Sequence, residues 1–343
     1  MSGRKRRRAQ AGFVSALQVA RRAGVSRSAV SRSFTPGASV AEETREKVIR
    51  AAAELGYHVN DLARGLLARQ SRLVGLIATR PEVGFRAHLV SALSKALIRR
   101  GNVPVLITIG ESAAELAAAQ QTLLGHRAEA TIILTGSPPS AFAELARRNG
   151  QPVIVLGRSE PHADQIRCDG ARAARQAAAL FVASGLTRLG LAGSLSGTPV
   201  MIERETAFAA EARRLGADVV TARGADSDYE GGLAAARQLL AGGKAPQAIF
   251  CVNDLLAFGV MDHARHGRGL AIPRDLKVIG FDDVPEAQWL NYRLTTFRQD
   301  PALIAQKVAR LLDRRQSAPG HAPVKESFAA PLMVRDSFIP REP

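Results

Sequence analysis

Two cysteines, Cys168 and Cys251, occur in 343 residues, far apart and each beside an apolar run. That usage excludes a disulfide framework or a cysteine-held metal, and both are read as reduced core residues. The seven histidines show no metal-ligand spacing. No run of about 20 apolar residues exists, so no helix spans a membrane. The basic stretch Arg4-Lys5-Arg6-Arg7-Arg8 is not followed by the apolar core and small-residue cleavage site of a secretory signal. These absences place the protein in the cytoplasm, without a membrane partner. A catalytic constellation is missing as well. Gly193-Ser194-Leu195-Ser196-Gly197 sets its serines in the wrong places for a G-x-S-x-G nucleophile elbow. No P-loop is present, and Gly267-Arg268-Gly269 is too short and too late in its unit for a dinucleotide fingerprint. The expectation is a protein that is not an enzyme and needs no cofactor.

What is present begins with charge. The chain carries a formal net charge of +16, and residues 1–70 hold 14 Lys and Arg against 5 Asp and Glu. So strong a basic excess in the first fifth points to a polyanion at that end. Residues 1–13 read as a basic disordered arm that adds non-specific attraction for phosphates. The length suits a small domain joined to a two-lobed one, and 46% hydrophobic content is enough for real cores.

Leu17 to Arg32 reads as two short helices joined by a tight turn. Leu17, Ala20, Val25 and Val30 are spaced to cover one apolar face, Gly24 frees the turn, and Ser26 can cap the second helix. The open face of that second helix carries Arg27, Ser28 and Arg32, side chains able to reach base edges and phosphates from a major groove. A helical hairpin with a solvated basic face is the plainer alternative. A third amphipathic helix follows, with Val48, Ala52 and Leu55 on one side and Gly56 as its stop; Ala41 stands at its start, where Glu42 and Glu43 favour the N-terminus through the helix dipole. Residues 14–56 thus form a three-helix headpiece.

Ala23-Gly24-Val25-Ser26, Val30-Ser31-Arg32, Thr44-Arg45-Glu46-Lys47-Val48, Gly56-Tyr57, Asn60, Ala63-Arg64 and Leu66 fall in the order and spacing of one family. On these residues the chain resembles the lac repressor (LacI/GalR) family of bacterial transcription regulators, and the resemblance continues almost to the C-terminus. It implies that 57–70 is a hinge helix. Such a helix folds when two copies pair over a DNA minor groove, with Leu66 as the wedging residue and Asn60 and Ala63 beside it. Leu62, Ala63, Leu66 and Leu67 would give a helical edge too short to be stable alone. A flexible linker is the alternative, and Gly65 lies inside the segment.

From Arg72 short apolar strands alternate with helices. Strands are expected at 73–78, 103–109, 131–134 and 153–156, with helices near 85–100, 111–124 and 140–149. A second series follows, with strands at 189–192, 219–221, 248–252 and 277–281 and helices near 171–184, 200–215, 229–241 and 254–266. The rhythm is βαβ and predicts two doubly wound parallel sheets. Together with the headpiece, the fold class is a small all-α helix-turn-helix domain followed by an α/β two-lobed, periplasmic-binding-protein-like domain over 71–343. The resemblance implies three crossings between the lobes. Lobe 1 would take about 71–170 and 299–325, and lobe 2 about 171–298 and 326–340.

Ligands of doubly wound sheets sit at the carboxyl ends of strands, so polar residues just after strands are the candidates. These are Thr79, Arg158, Asp169, Asn253 and Asp282, with Arg204 early in the helix after the first strand of the second series. By resemblance Thr79, Asp169, Arg204, Asn253 and Asp282 fall where family members hold a small effector. Carboxylates and Asn suit vicinal hydroxyls, and an Arg fork holds two oxygens. Taken singly, Asn253 or Asp282 is equally well a helix cap or loop residue. Ser227 stands where many sugar-binding members place an aromatic ring, with Tyr229 two positions displaced. A smaller or acidic ligand is therefore favoured over a stacked pyranose. Val59 and Ala207 also depart from the family pattern, which has proline and glycine there.

The resulting expectation is a homodimeric transcription regulator, most often a repressor in such families. Its affinity for a near-palindromic, double-stranded operator would change when a small metabolite, a sugar or sugar acid, enters the cleft. The alternative is a small-molecule sensor or carrier whose basic headpiece binds a protein or RNA. A two-lobed enzyme is a third, more remote option.

Overall fold

The computed structural model describes residues 13–35, 37–59, 71–110, 112–134, 144, 146, 148–318 and 320–340. Contacts divide the chain into two units, Met1–Ser71 and Arg72–Pro343.

The first unit holds helices α1 (Ala16–Ala23), α2 (Arg27–Ser33) and α3 (Glu42–Leu55). Ser15 starts α1 with a capping box: its hydroxyl accepts from the Gln18 N–H while the Gln18 side chain accepts from the Ser15 N–H. Gly24 ends α1 at φ 68°, in the left-handed region, and its N–H donates to the Ala20 carbonyl. Ser26 accepts the Ala29 N–H at 3.1 Å and so caps α2. Ala41 gives α3 no side-chain cap, and Glu42 and Glu43 occupy its first turn. Val19, Ala20, Val30, Val48, Ala51 and Ala52 form the core. One expectation is corrected here: Leu17 is 47% exposed, and Val19 faces inward. Each residue turns an α-helix by about 100°, so the stripe Ala16, Val19, Ala20 and Ala23 packs inward and Leu17 falls outside it.

The second unit contains two six-stranded sheets. The first is ordered β11-β5-β4-β3-β1-β2, from Lys325–Phe328, Asp164–Cys168, Val153–Leu156, Ala130–Ile133, Leu73–Ala78 and Val103–Thr108, with every pairing parallel. The second is ordered β12-β10-β9-β8-β6-β7, from Leu332–Met333, Thr295–Arg298, Lys277–Asp282, Ala248–Cys251, Arg188–Ser194 and Asp218–Gly224. Its β12 is antiparallel to β10, so this sheet is mixed rather than wholly parallel. Central strands such as β3, β4 and β8 are buried along their whole length, which is why they read as unbroken apolar runs.

Helices α4 (Phe85–Arg100) and α5 (Ala113–Gly125) belong to the first sheet, and α6 (Gly170–Ala183), α7 (Pro199–Arg214), α8 (Tyr229–Leu239) and α9 (Asp254–Asp262) to the second. A π-turn, His263–Gly267, continues α9. Helix α10 (Pro301–Ser317) returns to the first sheet, where Ile304, Val308, Leu311 and Leu312 share a core with Leu89, Leu93 and Leu97 of α4. The second core is centred on Phe181, Phe208, Phe250, Phe281 and Phe297, with Phe208 and Phe250 stacked at 5.0 Å. The chain passes between the sheets after β5, after β10 and after β11, and both sheets turn strand carboxyl ends toward the cleft between them.

Candidate functional site

A cavity of about 270 Å³ lies between the two lobes. Thr79 comes to it from the end of β1, Asn253 from the end of β8, Asp282 from β9, and Arg204 from the second turn of α7. Four of the six expected ligand-holding residues thus share one wall system. Asn253 caps α9, accepting the Leu256 N–H at 2.9 Å, while its amide donates to the Ser227 carbonyl at 2.8 Å. Capping and cavity lining therefore coexist in this residue. Arg204 is buried. Its guanidinium lies 3.5 Å over the Phe281 ring, donates to the Val252 carbonyl at 2.8 Å and stands 3.8 Å from the Asp282 carboxylate.

The β9 end is strained where it meets the cavity: Asp282 has φ 125° and Asp283 φ 57°. Surrounding contacts hold it there. The Asp283 carboxylate accepts from Arg298 and Arg335, both at 2.6 Å, and Gln299 donates its amide to Asp282 at 2.6 Å. Burial pushes the Asp282 carboxyl up to about 6, against the pull of Arg204, which favours the charged form. Behind it Asp254 is fully buried, accepting the Thr296 hydroxyl at 2.6 Å and the Val284 N–H at 2.9 Å; burial, then the Asp282 charge, raise it to about 8.

Two expected residues do not line this cavity. Asp169 caps α6 by accepting the Arg172 N–H at 3.0 Å, and Arg158 pairs with buried Glu160 at 2.6 Å beside a second, more open pocket. Sequence reasoning missed Arg80, Arg86, Asp226 and Gln299, all of which line it. Arg80 directly follows Thr79, so the strand-end rule reaches it one position later. Arg86 lies in the first turn of α4 and gives no such signal. Ser227 is buried on the wall, whereas the Tyr229 hydroxyl turns away to Asp262 at 2.9 Å. Phe85 is the aromatic side chain among the described lining residues, and it also packs against both lobe cores.

In the first unit Arg27, Ser28 and Arg32 are all exposed on α2, opposite buried Val30 and Ser33. Arg45 of α3 fixes this helix by donating to the Ser33 carbonyl at 2.7 Å and the Ala38 carbonyl at 3.2 Å. Asn60, Ala63 and Leu66 lie outside the described residues. Among the described residues no cluster of three metal-ligating side chains occurs, and no helix is long and apolar enough to cross a membrane.

A headpiece of this kind on a two-lobed sensor domain defines a class, the ligand-responsive helix-turn-helix regulators. Residues 17–60 match the bacterial regulatory proteins of the lacI family, and residues 178–338 match a periplasmic binding protein-like domain. The chain thus joins a lacI-type DNA-binding domain to a periplasmic binding protein-like domain. It is 28% identical to the ribose operon repressor of Haemophilus influenzae, over 88% of this chain and 91% of that one. It is 29% identical to the HTH-type transcriptional regulator CelR of Thermobifida fusca, over 97% and 99%. The lac repressor dimer bound to operator and the anti-inducer ONPF superposes with a TM-score of 0.85 at 26% identity, over 95% of this chain and 99% of that one. The CelR–cellobiose complex gives 0.70 at 27% identity, over 95% and 100%. These relatives are transcription regulators, and this chain is a DNA-binding regulator rather than an enzyme.

Proposed function

We propose that the chain is a cytoplasmic, homodimeric transcription repressor whose headpiece binds a near-palindromic operator and whose affinity changes when a sugar or sugar acid enters the cleft. The observation that carries this reading is the joining, in one chain, of an exposed Arg27-Ser28-Arg32 face to a cavity that gathers Thr79, Arg204, Asn253 and Asp282. Arg27 or Arg32 contacts guanine, and Ser28 a neighbouring base or phosphate. By family resemblance Asn60, Ala63 and Leu66 act in the central minor groove.

One headpiece reads too few base pairs, so two-fold pairing supplies two half-sites. The lac repressor dimer on its operator supports that arrangement. A ribose operon repressor and a cellobiose complex among the relatives support a saccharide-like effector. The cavity, about 270 Å³, is at the small end of ligand sites and suits a monosaccharide-sized molecule. Domain assignment follows: 1–13 arm, 14–56 headpiece, 57–70 hinge, 71–343 effector and dimer domain. Asp169 and Arg158 keep supporting roles next to the cleft.

The test is fluorescence anisotropy of the full chain on a duplex selected by it, across a salt series. A steep fall in affinity with salt, and a loss of about tenfold or more for Arg27→Ala or Arg32→Ala on that duplex but not on unrelated DNA, support the reading. A salt-insensitive complex, or equal losses on both DNAs, contradicts it.

A further inference from the structure

The cleft is polarised by charge. Its second lobe contributes Asp226 and Asp282 with Arg204, whereas the first lobe, among the described residues, contributes Arg80 and Arg86 and no carboxylate. Two of the three cations have partners: Arg204 has Asp282 at 3.8 Å, and Arg80 reaches across to Asp226 and Asp228. Among the described residues Arg86 makes no direct ion pair, although the Asp282 and Glu82 carboxylates are near enough to favour its charge. Its one hydrogen bond among the described residues runs from Nη1 to the Thr79 carbonyl at 3.1 Å. It is partly buried, and burial first, then the charge of Arg80, disfavour its guanidinium form, against the smaller opposing pull of Asp282 and Glu82. Gly84 begins α4 without a side-chain cap, and its carbonyl accepts the Ala87 N–H at 3.1 Å. A guanidinium at a cavity wall with no direct ion pair among the described residues, next to a second cation, has N–H groups free for two acceptor oxygens of an anion.

We infer that the effector is an acid of monosaccharide size: its hydroxyls face Arg204, Asn253 and Asp282 on the second lobe, and its carboxylate or phosphate is held by Arg86 on the first. The inference rests on the proposal that this cleft is the effector site. It also gives ligand binding a directional consequence. One end of the molecule is held by each lobe, so it binds best where both walls are in reach.

The experiment is calorimetric titration of the full chain with matched pairs: D-gluconate and D-glucitol, D-glucuronate and D-glucose, D-ribose 5-phosphate and D-ribose. At least one acid is expected to bind about tenfold or more tighter than its neutral parent. Arg86→Gln should remove that preference and Arg86→Lys should keep most of it, each with a thermal unfolding curve like that of the parent protein. The first two pairs report a carboxylate and the third a phosphate. If a neutral parent binds at least as tightly as its acid and Arg204→Ala abolishes that binding, the acid inference fails and the cleft remains the effector site. If neither series binds, both fall together.

Discussion

Asp254 shows how a single buried group sets a pH response. Its carboxyl has no solvent exposure and is raised from 3.8 to about 8, chiefly by burial. The folded protein therefore prefers the neutral acid. The stability this residue contributes is complete below pH about 4 and is lost as pH rises through about 8. Asp254→Asn keeps a neutral group that can accept from the Val284 N–H and donate to the Thr296 hydroxyl. Thermal unfolding between pH 5 and 9 should shift progressively in favour of the variant as pH rises. Parallel curves would show that Asp254 is ionised throughout. The sequence marks Asp254 only as a residue after a strand, because burial is a property of the fold. Thr79, Arg204, Asn253 and Asp282 were legible from strand ends and family spacing, and the cavity gathers them. Asp169 and Arg158 satisfy the same spacing but spend their side chains on a helix cap and an ion pair. Leu17 and Val19 differ by the small rotation that separates an inward from an outward helix position, which spacing alone did not settle.

At the scale of elements, α8 and α9 touch through glycine. A Cβ on Gly259 would stand 2.2 Å from the Tyr229 carbonyl oxygen, and one on Gly232 2.3 Å from that of Leu256. Both neighbours are backbone, so the helices would have to separate. Gly259→Ala should cost about 1–3 kcal/mol in urea unfolding. It should also weaken effector binding, since Asn253 caps α9 and holds the Ser227 carbonyl on the cavity wall. Unchanged stability would mean that the pair of helices has room to adjust. Long periodic elements such as α4 and fully apolar strands such as β4 were legible because their own residues dictate them. The strands β10, β11 and β12 were not. Thr295–Arg298 and Lys325–Phe328 are four residues each, Leu332–Met333 only two, and their pairing comes from partners far away in sequence.

For the whole molecule, Arg80 is the clasp across the cleft. It leaves the end of the first-lobe β1 and pairs with Asp226 and Asp228 beyond the second-lobe β7. All three side chains are partly exposed, so the pairing adds about 1 kcal/mol at most to global stability. Its leverage is on the relation between lobes. Arg80→Ala should leave the unfolding midpoint nearly unchanged while small-angle scattering shows a larger radius of gyration in the absence of ligand. An unaltered scattering curve would show that other contacts set the separation. On the proposed reading the N-terminal charge acts on the same scale, because the basic excess of residues 1–70 would draw the headpiece to phosphates before any base is read. The most direct measurement is sequencing of the duplexes that the full chain enriches from a random pool. Two half-sites related by two-fold symmetry, with guanine at a fixed position in each, are predicted. A pool enriched without symmetry, or not enriched at all, would contradict a dimeric regulator that reads its operator through Arg27, Ser28 and Arg32.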